Sequence, residues 1–312
     1  MKQYAFGVDI GGTTIKMGLF TTTGDLLEKW EIVTRTEDGG KYILEDIAKA
    51  VEGKLAEKEI SKLDVEGIGM GVPGPVGDDG TVYQCVNLGW GVFNVEIELK
   101  GMTGMKVKAG NDANVAALGE LWQGGGKGYK NMVMITLGTG VGGGVIMNEK
   151  IISGSTGAGG EIGHMHMVDG ETEVCGCGNR GCLEQYASAN GIARVTAKYL
   201  AEHDDESLLR KEEKITSLAI FNAAKEGDVV AVRMIDEMAN VLGKALAQVA
   251  CVVNPQVFVI GGGMSKAGDM LIDVVQKYFK KYAFHATRDT FIKVAELSND
   301  AGMIGGVRLI LE

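Results

Sequence analysis

The chain has 312 residues, 45% of them apolar and 23% charged, with a net charge of −10. A single core seldom grows past about 250 residues, so this length predicts two lobes. The acidic balance gives no reason to seek nucleic acid, no apolar run approaches the roughly 18 residues of a membrane span, and five cysteines, an odd number, fit a reducing compartment better than a disulfide framework. The expectation is a cytoplasmic protein with a small-molecule partner, not a nucleic-acid or membrane protein. The 48 glycines follow no collagen period and therefore mark turns and ligand loops.

From Tyr4 to Ile10 and from Thr14 to Phe20 the residues are β-prone, with DIGGT at residues 9–13 between them. This reads as a hairpin whose turn binds an anion. Gly11 and Gly12 let backbone N–H groups face phosphate oxygens, Thr13 adds a hydroxyl, and Asp9 suits a hydrated Mg²⁺. Taken alone, a plain hairpin turn explains the same residues. A third strand near 26–34, a helical apolar stripe over 42–59 and a buried strand over 65–72 follow, giving a β-β-β-α-β lobe. The prolines and glycines of 71–77 make a rigid loop. Asn87 beyond it either faces a ligand or caps a turn.

A strand over 105–109 runs into a helix that starts at Asn111-Asp112. Either residue serves as an ordinary N-cap, and a carboxylate at that helix end also suits a positioned base. The stretch 132–147 repeats the opening device: strand, a glycine turn containing Thr139, strand. Gly138, Gly140 and Gly143 formally match the dinucleotide fingerprint, but that loop must open a helix, and here a strand continues; no P-loop sequence occurs either.

Between Glu161 and Glu184, His164, Cys175, Cys177 and Cys182 supply one imidazole and three thiols, the donor set of a closed, structural Cys₃His zinc site. Unliganded thiols or a disulfide are the alternative. Cys85 and Cys251 lie in apolar surroundings and read as core residues; His166, His203 and His285 read as satisfied or exposed. Beyond the cluster the chain is mostly helical, with a long amphipathic run over 228–252, a buried strand over 257–260, a last strand over 291–295 and a helix over 301–311. Gly262 and Gly263, just after the buried strand, form a turn open to a nucleotide base or ribose.

The motifs DIGGT, ND at 111–112, LGTGVGGG, EIGH and CGCGNRGCLE, in this order, resemble the ROK family, and within it the bacterial glucokinases. The resemblance covers essentially the whole chain. It implies an α/β, two-lobed actin/hexokinase-like (ribonuclease H-like) fold with ATP and sugar in an interlobe cleft. The small lobe spans 1–112, joined by the C-terminal helix at about 300–312, and the large lobe spans 113–299. By the family pattern Asp112 is the base that accepts the sugar hydroxyl proton, and Asn87, Asn111, Glu161, His164 and Glu184 bind the sugar. Asp9, Gly11, Gly12, Thr13, Gly138, Thr139 and Gly140 hold the phosphates of ATP with Mg²⁺, and Gly262 and Gly263 lie by the adenosine. A homodimer is also implied.

The expected activity is ATP-dependent phosphorylation of glucose to glucose 6-phosphate. A kinase for another hexose or for an N-acetylhexosamine is the alternative, as is a non-catalytic sugar sensor or repressor. A helix-turn-helix module needs some tens of residues ahead of a kinase-like body, and here the first glycine turn begins near residue 9, which favours catalysis.

Overall fold

The computed structural model describes residues 2–312. Two five-stranded sheets carry the architecture. The first runs in the order Leu26–Val33, Thr14–Thr21, Tyr4–Ile10, Val65–Val72, Val107–Asn111, and the second in the order Lys150–Ile151, Val141–Met147, Met132–Leu137, Val257–Gly261, Phe291–Val294. The chain divides into two compact units, one of residues 1–130, 144–160 and 297–312, the other of residues 131–143 and 161–296.

In the first unit, Tyr4–Ile10 pairs antiparallel with Thr14–Thr21 (Ile10 opposite Ile15) and parallel with Val65–Val72 (Asp9 opposite Gly71), which in turn pairs parallel with Val107–Asn111. The period-2 pleat sorts the side chains of the first strand onto two faces. Phe6, Val8 and Ile10 join a core with Ile43, Ile47, Val51 and Leu55 of the helix Ile43–Glu57. Ala5 faces the other way, into a cluster with Met303, Ile304, Val307 and Ile310 of the helix Ala301–Leu311. Covered on both faces, Val65–Val72 is buried at every position but Glu66, as its unbroken apolar character requires. The C-terminal helix sits so close to the sheet that a methyl group on Gly69 would overlap the carbonyl oxygen of Gly306.

The sequence reading divided the lobes at residue 112, whereas the first compact unit takes in the whole helix Asp112–Gln123. Packing explains its place. A methyl group on Gly119 would overlap the carbonyl oxygen of Ala301, and the buried Glu120 accepts the Leu297 N–H at 2.8 Å.

In the second unit, Val257–Gly261 pairs parallel with both Met132–Leu137 and Phe291–Val294. The helix Val229–Val253 is capped by Asp228, whose Oδ1 accepts the Ala231 N–H at 2.8 Å. Its partner is Asp269–Tyr282, and Phe279 of that helix meets Phe258 of the central strand edge-on, centroids 5.6 Å apart. The expectation that Cys251 is a core residue fails: Val249 and Ala250 turn inward, and Cys251 and Val252 fall on the outer face of the last helical turn and are exposed. Cys85 is buried. Among the described residues no helix is long and apolar enough to cross a membrane.

Candidate active site and metal centre

Each unit brings together one part of the set. In the first, the turn after Tyr4–Ile10 is closed by the Gly11 N–H donating to Thr14 O at 3.0 Å and braced by the Thr34 hydroxyl donating to Gly11 O at 2.7 Å. This leaves Gly12 open, with nothing within 4 Å of where its side chain would stand. Asp9 is half-buried at the strand end, and burial raises its carboxyl above the usual range against the pull of Lys16. It also lies against the first turn of the C-terminal helix, since a methyl group on Gly302 would stand 2.6 Å from its Cγ.

Asn111 ends the strand Val107–Asn111 and caps the next helix, its Oδ1 accepting the Asn114 N–H at 3.1 Å. Asp112 is the first helical residue, and its Oδ1 accepts the Ala113 N–H at 2.8 Å and the Asn111 amide at 3.1 Å. Gly71 joins Asp112 to Asp9: a methyl group there would stand 3.3 Å from Cα of Asp112 and 3.7 Å from Oδ1 of Asp9. The sequence reading put this glycine in the rigid loop of 71–77, whereas it lies within the strand Val65–Val72 and was given no part in the site. Asn87 stands exposed on the turn Val86–Leu88.

In the second unit, the Gly138 N–H donates to Gly140 O at 3.0 Å, and Gly138 O accepts the Ala189 N–H at 2.8 Å, so the turn is tied to the start of the helix Ala189–Glu202. Thr139 is exposed at its tip. Gly262, with φ of 83°, lies directly on the backbone of Leu137, which places Gly262 and Gly263 beside the 138–140 turn. Gly263 is open.

The four metal donors converge as their chemistry requires. Residues 165–168 and 181–183 form a small hairpin, with Met167 N–H donating to Gly181 O at 2.7 Å and Leu183 N–H to Met165 O at 2.8 Å, which brings His164 and Cys182 to one end. A turn, Gly178 N–H to Cys175 O at 2.8 Å, presents Cys175 and Cys177. All four ligand atoms lie within 4.8 Å of one another. Donors about 2.3 Å from a tetrahedral zinc stand about 3.8 Å apart. Cys177 Sγ to Cys182 Sγ is 3.7 Å, and Cys175 Sγ to His164 Nδ1 is 3.7 Å. The set fits a Cys₃His zinc. Burial pushes the Cys175 and Cys182 thiols up, while the Asn179 N–H holds Cys177 down, so metal binding must displace protons from the two buried thiols.

His164 turns Nδ1 to the cysteines and Nε2 toward Glu161, Oε2 at 4.0 Å. Glu184 completes this edge: Oε1 accepts the Cys175 thiol at 2.9 Å and lies 3.7 Å from His164 Nδ1, and Oε2 is 2.6 Å from where a methyl group on Gly140 would be. One carboxylate thus touches both the metal cluster and the glycine turn.

Sequence reasoning missed the clamp behind this edge. Glu171 Oε2 accepts the Tyr186 hydroxyl at 2.5 Å and Arg194 Nη2 at 2.8 Å, and its other oxygen accepts the Thr172 and Glu173 N–H groups at 2.9 and 3.0 Å. The Arg194 guanidinium first, then the Tyr186 hydroxyl, hold its carboxyl down at about 2.

These features, two strand–turn–strand glycine devices and a carboxylate at a helix start, belong to a protein of the actin/hexokinase-like class. The sequence model of the ROK family matches residues 5–312, and the chain belongs to that family. It is 45% identical to a glucokinase of Halalkalibacterium halodurans over 99% of this chain and 95% of the relative. Among solved structures, a ROK family glucokinase from Streptomyces griseus in complex with glucose and AMPPNP is 32% identical, covers 98% of both chains and superposes with a TM-score of 0.74. A ROK hexokinase from Thermus thermophilus is 29% identical over 99% of this chain and 97% of its own, with a TM-score of 0.79.

Proposed function

We propose that the protein transfers the γ-phosphoryl group of ATP to the 6-hydroxyl of glucose. The observation that carries this is the Asp112 carboxylate, fixed by the Ala113 N–H and the Asn111 amide at a helix start, on a chain 45% identical to a glucokinase. Asp112 takes the hydroxyl proton as the bond to phosphorus forms, a role that needs position more than high basicity. Asn87, Asn111, Glu161, His164 and Glu184 are the sugar's hydrogen-bonding partners in this reading. A sugar presents several hydroxyls, and carboxylates, amides and an imidazole N–H are the groups that accept from and donate to them.

The turns at Gly11, Gly12 and Thr13 and at Gly138, Thr139 and Gly140 offer N–H groups and hydroxyls to the phosphates of ATP, and Gly262 and Gly263 lie by the adenosine. Asp9 would hold Mg²⁺: a half-buried carboxylate raised by desolvation gains from a nearby cation. A magnesium ion there would neutralise charge on the phosphates. Zinc on His164, Cys175, Cys177 and Cys182 supplies a fixed centre for the loop. With Nδ1 on the metal side, Nε2 of His164 is left as the donor toward the sugar.

Free thiols at a metal site suit a reducing compartment, which supports a cytoplasmic location, and the family resemblance supports a homodimer. The test is a coupled assay with ATP, Mg²⁺ and glucose. We expect ADP and glucose 6-phosphate to form together, and a lack of glucose-dependent turnover overturns the reading.

A further inference from the structure

Arg194, on the helix Ala189–Glu202, reaches three groups at once. Its Nη2 donates to Glu171 Oε2 at 2.8 Å and to the carbonyl oxygen of Gln185 at 3.0 Å, and its Nη1 pairs with Glu173 Oε1 at 2.9 Å. Glu171 and Glu173 stand on the segment that leads into Cys175, while Gln185 follows Glu184. The Gln185 side chain crosses the same gap: Nε2 donates to Glu173 O at 3.0 Å and Oε1 accepts the Cys182 N–H at 3.1 Å. The loop that carries three metal ligands is therefore stitched to the helix start that carries Glu184, and the Arg194 guanidinium joins both sides.

We propose that Arg194 is a positioning residue for the sugar-binding edge, setting Cys175 in register for zinc and Glu184 in register for the sugar through Glu171, Glu173 and the Gln185 carbonyl. A guanidinium presents its donors in a rigid fork, whereas an ammonium is a point charge on a flexible stem, so lysine keeps the charge and loses the simultaneous reach. Glu171 has a side chain only 6% exposed, so its pairing with Arg194 is shielded from solvent, unlike an ordinary surface ion pair. The Glu184 carboxylate beside Gly140 sits at the far end of this chain of contacts, which is why a residue that touches neither metal nor sugar governs the geometry of both.

The inference rests on the sugar-kinase reading for its kinetic arm only. The experiment compares wild-type holoenzyme with Arg194→Lys and Glu171→Gln by zinc competition against a chelator and by KM for glucose and for ATP. Loss of partners outside the metal ligands costs about 10–100-fold in metal affinity, and we expect zinc affinity to fall within that range in both variants. We also expect the KM for glucose to rise by about tenfold while the KM for ATP stays within about twofold, because only the sugar edge has moved. Unchanged zinc affinity and glucose KM in Arg194→Lys overturn the inference, as do equal rises in both KM values. If wild type lacks glucose-dependent turnover, the proposed function falls and the zinc arm alone decides. Should Arg194→Lys not fold, Tyr186→Phe, which removes only the hydroxyl bonded to Glu171, carries the same test at smaller amplitude.

Discussion

Nδ2 of Asn111 donates to Oδ1 of Asp112 at 3.1 Å, while Oδ1 of the same Asn111 side chain caps the helix by accepting the Asn114 N–H. The cap reading is met by Asn111, and the base reading is the one proposed for Asp112. Asn111 caps the helix at Asn114, and Asp112 Oδ1 accepts the Ala113 N–H, a bond that the amide oxygen of an asparagine at 112 can keep.

Replacing Asp112 with Asn should therefore leave stability nearly unchanged and strike turnover. General bases contribute about 10²–10⁴-fold, and kcat is expected to fall by at least that much while glucose binding, read by calorimetry, largely survives. Near-normal turnover in Asp112→Asn would show that the carboxylate is not the base.

The purified protein should carry one zinc per chain. Cys182 is fully buried and its N–H is tied to Gln185, so Cys182→Ser removes a ligand from the most enclosed corner of the cluster. Metal analysis should show zinc lost or loosened, with a raised KM for glucose. Chelator-stripped protein that keeps the wild-type KM would mean that the metal does not shape the sugar edge.

Much of this was legible in local sequence. The strand–turn–strand of Tyr4–Ile10 and Thr14–Thr21 needs only neighbours in the chain, and the cysteines and His164 declare themselves by donor type within a short span. Pairings set by the tertiary fold were not legible. Glu171 and Arg194 stand 23 residues apart with no periodic relation, and Gly69 meets Gly306 only because the last helix returns to the first sheet. Val95–Thr103 alternates apolar and charged residues as a strand would, yet Asn94 caps it as a helix, accepting the Ile97 N–H at 2.9 Å. Cys251 was misjudged because an apolar sequence neighbourhood does not show which side of a helix faces out.

Glu171 should leave a mark on acid stability. Its folded value of about 2 lies below its ordinary 4.5, so its contribution is fully present above about pH 4.5 and drains away as pH falls toward 2. In chelator-treated protein, where zinc release cannot add to the slope, Glu171→Gln should show a shallower loss of unfolding free energy below pH 4.5 than wild type. Parallel slopes in urea titrations across that range would sink the assignment.

Substrate choice follows from what the sugar edge offers. In the proposed site Glu161 and Glu184 would accept and Nε2 of a zinc-bound His164 would donate, a set that suits a ring with free hydroxyls. An N-acetylhexosamine brings a bulky amide where a hydroxyl is expected. A site built to pair with a hydroxyl rejects an analogue lacking it by about 10⁴–10⁵-fold at best, because its buried polar groups are left unsatisfied. The exposure of Glu161, whose side chain is 46% accessible, leaves water free to replace part of any lost bond, so the discrimination here should fall well short of that limit. We expect glucose to lead in kcat/KM over mannose, fructose, N-acetylglucosamine and N-acetylmannosamine, all with ATP. We expect phosphorylation at the 6-hydroxyl, since that primary alcohol extends furthest from the ring. If an N-acetylated sugar leads instead, the preference for glucose is wrong, and the phosphoryl transfer assigned to Asp112 still stands.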